Sequence, residues 1–205
     1  MVNMQISFGA RIPVSRCNIF SNKDAQRLER ATMYEIDCKD EDDFEYVNNV
    51  GNWDYKVSIC GDISSKYESF KYPSLYTDED KKYFEKNKFY SIENKNGEVL
   101  GLCETVLDGK DLNVEFITVS PKKRNRNIGA ALLASVAKLS LAPRQRITVH
   151  HPDKSAYGFY DACGFERIIE PTGSIGFAQS RKDAQQNLVK KFEREMQGQI
   201  INYNI

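Results

Sequence analysis

Apolar residues alternate in some stretches of the chain and recur every three or four residues in others, and the change of period marks its elements. "RIPVSRCNIF" (11–20) and "ATMYEIDC" (31–38) read as two strands joined by a polar, charged connection from Ser21 to Arg30. After Cys38, "KDEDDFEYVNN" begins with Asp40 as an N-cap, and its acidic first turn complements the positive end of a helix dipole. A second helix is predicted between Val57 and Phe70. Tyr72–Pro73 interrupts it, and Thr77 caps a short helix that runs to about Asn87.

The middle of the chain changes to strands. Asn96–Gly97 and Asp108–Gly109 are turn signals between alternating runs, which predicts an antiparallel three-stranded meander from about Phe89 to Ser120. Helical spacing returns at Ile128 with Ala131, Leu132, Ser135, Val136 and Leu139, and Pro143 ends it. "RITVH" is a strand, "SAYGFYDACGF" a short helix closed by Gly164, and "RIIE" and "SIGFAQ" supply the last strands. From Arg181 to about Gln197 a charged helix places Ala184, Leu188, Phe192 and Met196 in one apolar stripe, which predicts docking on the core.

One junction carries chemistry. Between Val119 and Ile128 the chain reads "VSPKKRNRNI": a proline ends the strand, four cations occupy six positions, and a helix follows. The unpaired N–H groups of a helix start, its dipole and nearby cations together favour a phosphate. The rest of the chain is not basic. Lys plus Arg and Asp plus Glu number 29 each, so the cationic turn is local and suits a small anion better than a nucleic acid or an anionic membrane.

The five cysteines are widely spaced, with no CxxC pair, so neither a zinc site nor a disulfide framework is indicated. The N-terminus lacks the apolar run of a signal peptide and no segment has the length of a bilayer span, which leads us to expect a cytoplasmic protein. Patterns for a P-loop, a dinucleotide fold, a zinc protease or a serine hydrolase elbow do not occur.

Two passages in this order resemble the GCN5-related N-acetyltransferase (GNAT) superfamily. "VSPKKRNRNIGAALL" is similar to its acetyl-CoA turn, Arg/Gln-x-x-Gly-x-Gly/Ala, and "DKSAYGFYDACGF" to its later motif, Asn-x-x-Ala-x-x-Leu/Phe-Tyr-x-x-x-Gly-Phe. The register from Arg124 puts Asn127 at the first glycine and Gly129 at the second; a register from Arg126 also matches. Asn127 is compatible with the turn because asparagine enters the left-handed region readily. Asp153 stands where the family often has Asn and, when ionised, accepts but does not donate a hydrogen bond.

The resemblance implies an α/β fold: a mixed, mostly antiparallel sheet flanked by helices, here with an N-terminal strand extension (1–30), a GNAT domain (31–180) and a C-terminal helix and tail (181–205). It also implies transfer of an acetyl group from acetyl-CoA to an amine. Arg124, Asn125, Arg126, Asn127, Ile128, Gly129 and Ala130 would hold the pyrophosphate, with Arg124 and Arg126 assisting. Ile117 and Val119, on the strand before, would meet the pantetheine, and Asp153, Ala156 and Phe159 complete the cofactor set. Tyr160 would protonate the leaving thiolate and Glu115 would act as base, with Glu104 a lesser candidate and His150 or His151 next. No metal is implied.

The acceptor could be a small-molecule, peptide or protein amine, with nucleic acid and membrane disfavoured and a homodimer compatible. The alternatives are a toxin-type enzyme acting on aminoacyl-tRNA and a catalytically silent CoA-binding module. Cys163, beside Gly164, is expected to be a structural thiol.

Overall fold

A computed structural model describes residues 11–22, 27–49 and 56–203. The two N-terminal strands, β1 (Ile12–Phe20) and β2 (Leu28–Ile36), form an antiparallel pair, closed by Ser21 N–H donating to Arg27 O at 2.8 Å. Three helices follow: α1 (Glu41–Asn49), α2 (Lys56–Lys71) and α3 (Asp78–Lys86). The expected caps are present. Asp40 Oδ1 accepts from Asp43 N at 3.0 Å, and Thr77 and Asp80 form a reciprocal capping box.

The meander is β3 (Asn87–Asn94), β4 (Val99–Asp108) and β5 (Asp111–Val119), with Gly97 and Gly109 at their turns. Helix α4 (Ile128–Ser140) leads to β6 (Arg146–Val149), α5 (Tyr157–Ala162), β7 (Glu166–Ile169) and β8 (Ile175–Ser180). The last helix, α6, joins an α-turn at Arg181–Asp183, a π-helical stretch at Ala184–Lys190 and an α-helical end at Lys191–Glu195. A final two-residue strand, β9 (Ile201–Asn202), pairs with β1.

All nine strands form one sheet in the order β7-β8-β6-β5-β4-β3-β2-β1-β9, antiparallel except for β5 with β6. Strands from all three sequence stretches, 1–30, 31–180 and 181–205, therefore share one set of hydrogen bonds.

Helices cover both faces. On one, α4 and α6 pack through Ala131, Leu132, Leu133, Leu188 and Phe192 against Ala31, Met33, Ile92, Cys103 and Val114. On the other, Val47 of α1 and Ile59 and Ile63 of α2 pack against Ile36, Phe89, Val99 and Leu102. The stripe of α6 docks as its spacing predicts, with Ala184, Leu188, Phe192 and Met196 all buried. Residues four apart drift about 40° around an α-helix at each step. The wider turn of the π stretch reduces that drift and keeps the stripe on the core.

Two local irregularities shape the middle of the sheet. Glu104 pairs with Phe116 while Thr105 pairs with Val114, so Glu115 is an extra residue, a bulge in β5. In addition, β5 pairs with β6 only at Leu112 and Asn113. Among the described residues, β6 therefore does not pair with β5 beyond Asn113. The bulge changes one expectation. Regular alternation puts Glu115 opposite both Val114 and Phe116, but only Val114 lies on the α4 face, while Phe116 packs with the α1–α2 cluster.

Candidate active site

The turn before α4 is built by two asparagines in the left-handed region, Asn125 at φ 65° and Asn127 at φ 58°. Asn127 is the N-cap of α4, and its carbonyl accepts from Ala131 N at 2.9 Å, so the N–H groups of the first helical turn are left for another acceptor. Two of the four cations of the turn are paired. Lys123 Nζ donates to Glu98 Oε2 at 2.9 Å, and Arg126 is paired with Glu29.

Arg126 corrects the sequence expectation. Its side chain is buried, donates through Nε to the Phe20 carbonyl at 2.5 Å, and ties the turn to the β1–β2 hairpin instead of facing a ligand. Arg124, by contrast, stands on the wall of a cleft.

That cleft has a volume of about 1160 Å³. Ile117 and Val119 line it from β5, Arg124, Asn125, Asn127, Ile128, Gly129 and Ala130 from the turn and α4, and Ala156, Phe159 and Tyr160 from the later motif. Eleven of the fourteen expected site residues thus meet around one space, although the two motifs lie some thirty residues apart. Gly129 suits the close approach of α4 to α5, because a Cβ there would stand 3.0 Å from Phe159 Cζ and 3.2 Å from its Cε2 and the ring would have to shift. Asp153 does not line the cleft. It caps the turn Lys154–Ala156 by accepting from Ser155 N at 2.7 Å, which an ionised carboxylate does well.

Tyr160 is buried among Phe159, Phe165 and Phe177, with ring centroids 5.1 to 5.8 Å away. Burial pushes its hydroxyl above the ordinary tyrosine range, with the Cys103 and Cys163 thiols adding to the effect, so it stays protonated at neutral pH. Cys163 also lines the cleft, but burial pushes its thiol up to about 12, which suits a structural thiol better than a nucleophile.

The opposite wall was not legible as a site. Asn187, Leu188, Lys191, Phe192 and Glu195 of α6 line the cleft, and Lys191 Nζ donates to the Ala162 carbonyl at 2.7 Å. Gly164, at φ 83°, lets α6 come this close, since a Cβ there would lie 2.8 Å from Asn187 Cβ. The signal was present only as an apolar stripe, which reads as core.

The carboxylates gather on the other face of the sheet. Glu115 Oε1 accepts from Asn113 Nδ2 at 2.5 Å. Glu104, 1% exposed, accepts from Asn87 Nδ2 through Oε1 at 2.5 Å. Burial pushes Glu104 up to about 8, with the neighbouring Asp62 charge next in effect and Glu115 contributing. Asp62 is itself raised by burial. His150 and His151 are held elsewhere, with their Nδ1 atoms 2.8 and 3.1 Å from the two oxygens of Glu170.

Residues 50–179 match the acetyltransferase (GNAT) domain family. The chain belongs to the GNAT family. It is an N-acetyltransferase by that membership, and acetyl-CoA is the donor this family uses.

Solved structures resemble the chain at low identity. The KacTA–DNA complex is 12% identical, with 76% of this chain and 96% of that one covered and a TM-score of 0.50. The ribosomal-protein-S18-alanine N-acetyltransferase of Escherichia coli is 13% identical over 73% and 93% of the two chains, TM-score 0.43. The PaiA N-acetyltransferase of Thermoplasma acidophilum, in complex with coenzyme A, is 15% identical over 61% and 70%, TM-score 0.40. No curated protein sequence matches the chain. No helix among the described residues is long and apolar enough to cross a membrane.

Proposed function

We propose that this acetyltransferase moves an acetyl group from acetyl-CoA to a primary amine, with the donor in the cleft at the start of α4. One observation carries the reading: a helix N-terminus with unpaired N–H groups, a cation and a buried protonated tyrosine all line the same cleft. The fit to acetyl-CoA is chemical. The start of α4 supplies donors for a pyrophosphate, Arg124 adds charge, and Ile117, Val119, Ala156 and Phe159 offer apolar contact to a pantetheine arm. The edge of β5 beyond Asn113, which β6 does not pair with, runs along the cleft at Ile117 and Val119 and offers backbone groups for its amides.

Acetyl-CoA supplies an activated thioester; the chain's own residues position the reactants and move protons. Tyr160 donates a proton to the departing sulfur. Glu115, on the acceptor face next to the opening between β5 and β6, takes one from the attacking amine. Holding both reactants in place supplies much of the acceleration, and a general acid or base adds about 10²–10⁴-fold.

The division into an extension (1–30), a catalytic unit (31–180) and a C-terminal helix (181–205) remains part of this proposal, with α6 serving the catalytic unit as a cleft wall. The test is release of free CoA thiol from acetyl-CoA across diamines, amino acids, peptides and aminoacyl-tRNA. Amine-dependent thiol release supports the reading. Tight acetyl-CoA binding without release for any acceptor favours the silent module, and release with aminoacyl-tRNA alone favours the toxin-type enzyme.

A further inference from the structure

Side-chain bonds form a ladder between β5 and β6 on the face of Glu115. Arg146 donates a fork to Asp111, at 3.2 Å through Nε and 2.5 Å through Nη2. Two residues on, Thr148 Oγ1 donates to Asn113 Oδ1 at 3.3 Å, and the Asn113 amide donates to Glu115 at 2.5 Å. Continuing by two residues along each strand brings Glu115 on β5 and His150 just after β6, two strands across from Glu104. Backbone pairing of β5 with β6 stops one rung earlier, at Asn113 and Thr148. The Glu115–His150 rung therefore stands where the two strands part, and the cofactor cleft is reached two residues further along β5, at Ile117.

His150 is held by a carboxylate built into the sheet. Its Nδ1 lies 2.8 Å from Oε1 of Glu170, whose side chain is 4% exposed and also accepts from Ser174 Oγ at 2.8 Å. His151 Nδ1 lies 3.1 Å from Glu170 Oε2 and 2.9 Å from Ser174 Oγ. Gly176 makes the room, since a Cβ there would stand 2.4 Å from Glu170 Oε1. Burial alone would raise the Glu170 carboxyl, but the bonds from Ser174 and His150 outweigh it and hold the group below its ordinary value. Beside an ionised carboxylate, Nδ1 of His150 carries the ring proton, which leaves Nε2 a proton acceptor. The His150 side chain is 40% exposed, so a ligand can reach it. His151, at φ 47°, already lies in the turn beyond the strand and serves to brace Glu170.

We propose that an alkylammonium acceptor enters between Glu115 and His150, that His150 is a second catalytic proton acceptor, and that Glu170 is its positioning residue. An ammonium nitrogen loses two protons on becoming an amide nitrogen, so one base does not suffice. Glu115 takes the first and frees the lone pair. His150 Nε2 takes the second as the C–N bond forms, and the ionised Glu170 stabilises the resulting imidazolium. The C–S bond breaks and the thiolate takes the Tyr160 proton. Of the two protons removed, one restores Tyr160 and the other leaves to solvent. Acetyl-CoA and ammonium thus give amide, free CoA thiol and one proton. The inference rests on the proposed acetyl transfer and adds a residue to it.

Two readouts on the whole chain test it. The chain has two histidines, so nitrogen NMR of the imidazole rings, with His151→Gln to tell them apart, reports each tautomer. At a pH where both rings are neutral, His150 should carry its proton on Nδ1, and Glu170→Gln should weaken that preference. The second readout is thiol release from acetyl-CoA with ethylamine and diaminobutane as probes. His150→Ala should lower kcat at least about tenfold with the KM for acetyl-CoA unchanged, and added imidazole should restore part of the loss in this variant but not in Glu115→Gln. A His150 protonated on Nε2, a fully active His150→Ala, or a loss that imidazole does not relieve would overturn the proposal. Absence of amine-dependent release by wild type with either probe would also overturn it, while acetyl-CoA titration and the wider acceptor screen judge the transfer reading separately.

Discussion

Replacing Glu104 by glutamine should make the protein more stable at high pH and no more stable at low pH. In the folded chain this carboxyl titrates near 8, against 4.5 for the ordinary group, because burial and the Asp62 charge disfavour ionisation. A raised carboxyl pKa means that, between those values, the unfolded chain has released a proton that the folded chain still holds. Wild-type stability therefore falls as pH rises from about 4.5 to about 8, and is flat with respect to this group on either side.

A shift of that size sets an upper bound of about 5 kcal/mol. Solvent reaching the partly exposed Asp62 and Glu115 reduces the effect to the order of 1–3 kcal/mol, or about 2–10 °C in Tm for a chain of this length. In Glu104→Gln the amide oxygen can still accept from Asn87, so the variant loses the titration and keeps that contact. Denaturant unfolding of both proteins from pH 4 to 9 gives the difference directly. The variant's advantage should grow across the window and level off above pH 8. A difference independent of pH, or a variant less stable than wild type at pH 9, would refute a raised Glu104 carboxyl.

Other perturbations address the remaining parts. Tyr160→Phe should lower turnover by about ten- to a thousandfold with acetyl-CoA affinity nearly unchanged, since only a hydroxyl is lost; steady-state kinetics beside a binding titration show whether the two separate. Glu115→Gln should reduce kcat/KM more at pH 7 than at pH 9, because an alkylammonium loses its proton near pH 10.4 and depends less on a base as pH rises. A pH–rate profile parallel to wild type would remove Glu115 from the mechanism. Arg126→Ala should destabilise by about 3–5 kcal/mol, leaving Glu29 and the Phe20 carbonyl without their buried partner, and chemical denaturation measures it.

Much of the fold could be read from the sequence because its signals are local. Asp40, Thr77, the two Asx–Gly turns and Gly164 mark boundaries through their own backbone chemistry, and each stands where expected. The cofactor turn was legible for the same reason, since a strand, a proline, two asparagines and a helix start are contiguous. What failed depended on partners distant in sequence. Arg126 looks like its neighbours until the β1–β2 hairpin brings Phe20 and Glu29 to it. The bulge at Glu115 has no sequence mark, because one extra residue disturbs alternation only relative to the strand across from it. Asp62 lies in a helix that follows no motif, and its effect on Glu104 emerges only when α2 packs on the sheet. The π-helical turn of α6 likewise follows from docking, and with it the second wall of the cleft.

The central claim, that acetyl-CoA occupies the cleft at the start of α4, is tested most directly by calorimetric titration of acetyl-CoA into wild type and Gly129→Glu, with thermal unfolding of each to confirm the fold. A glutamate at this position puts bulk against Phe159 and an anion where the pyrophosphate should approach. The account predicts stoichiometric binding by wild type and none measurable by the folded variant. Absence of binding by wild type, or equal affinity in a folded Gly129→Glu, would contradict it.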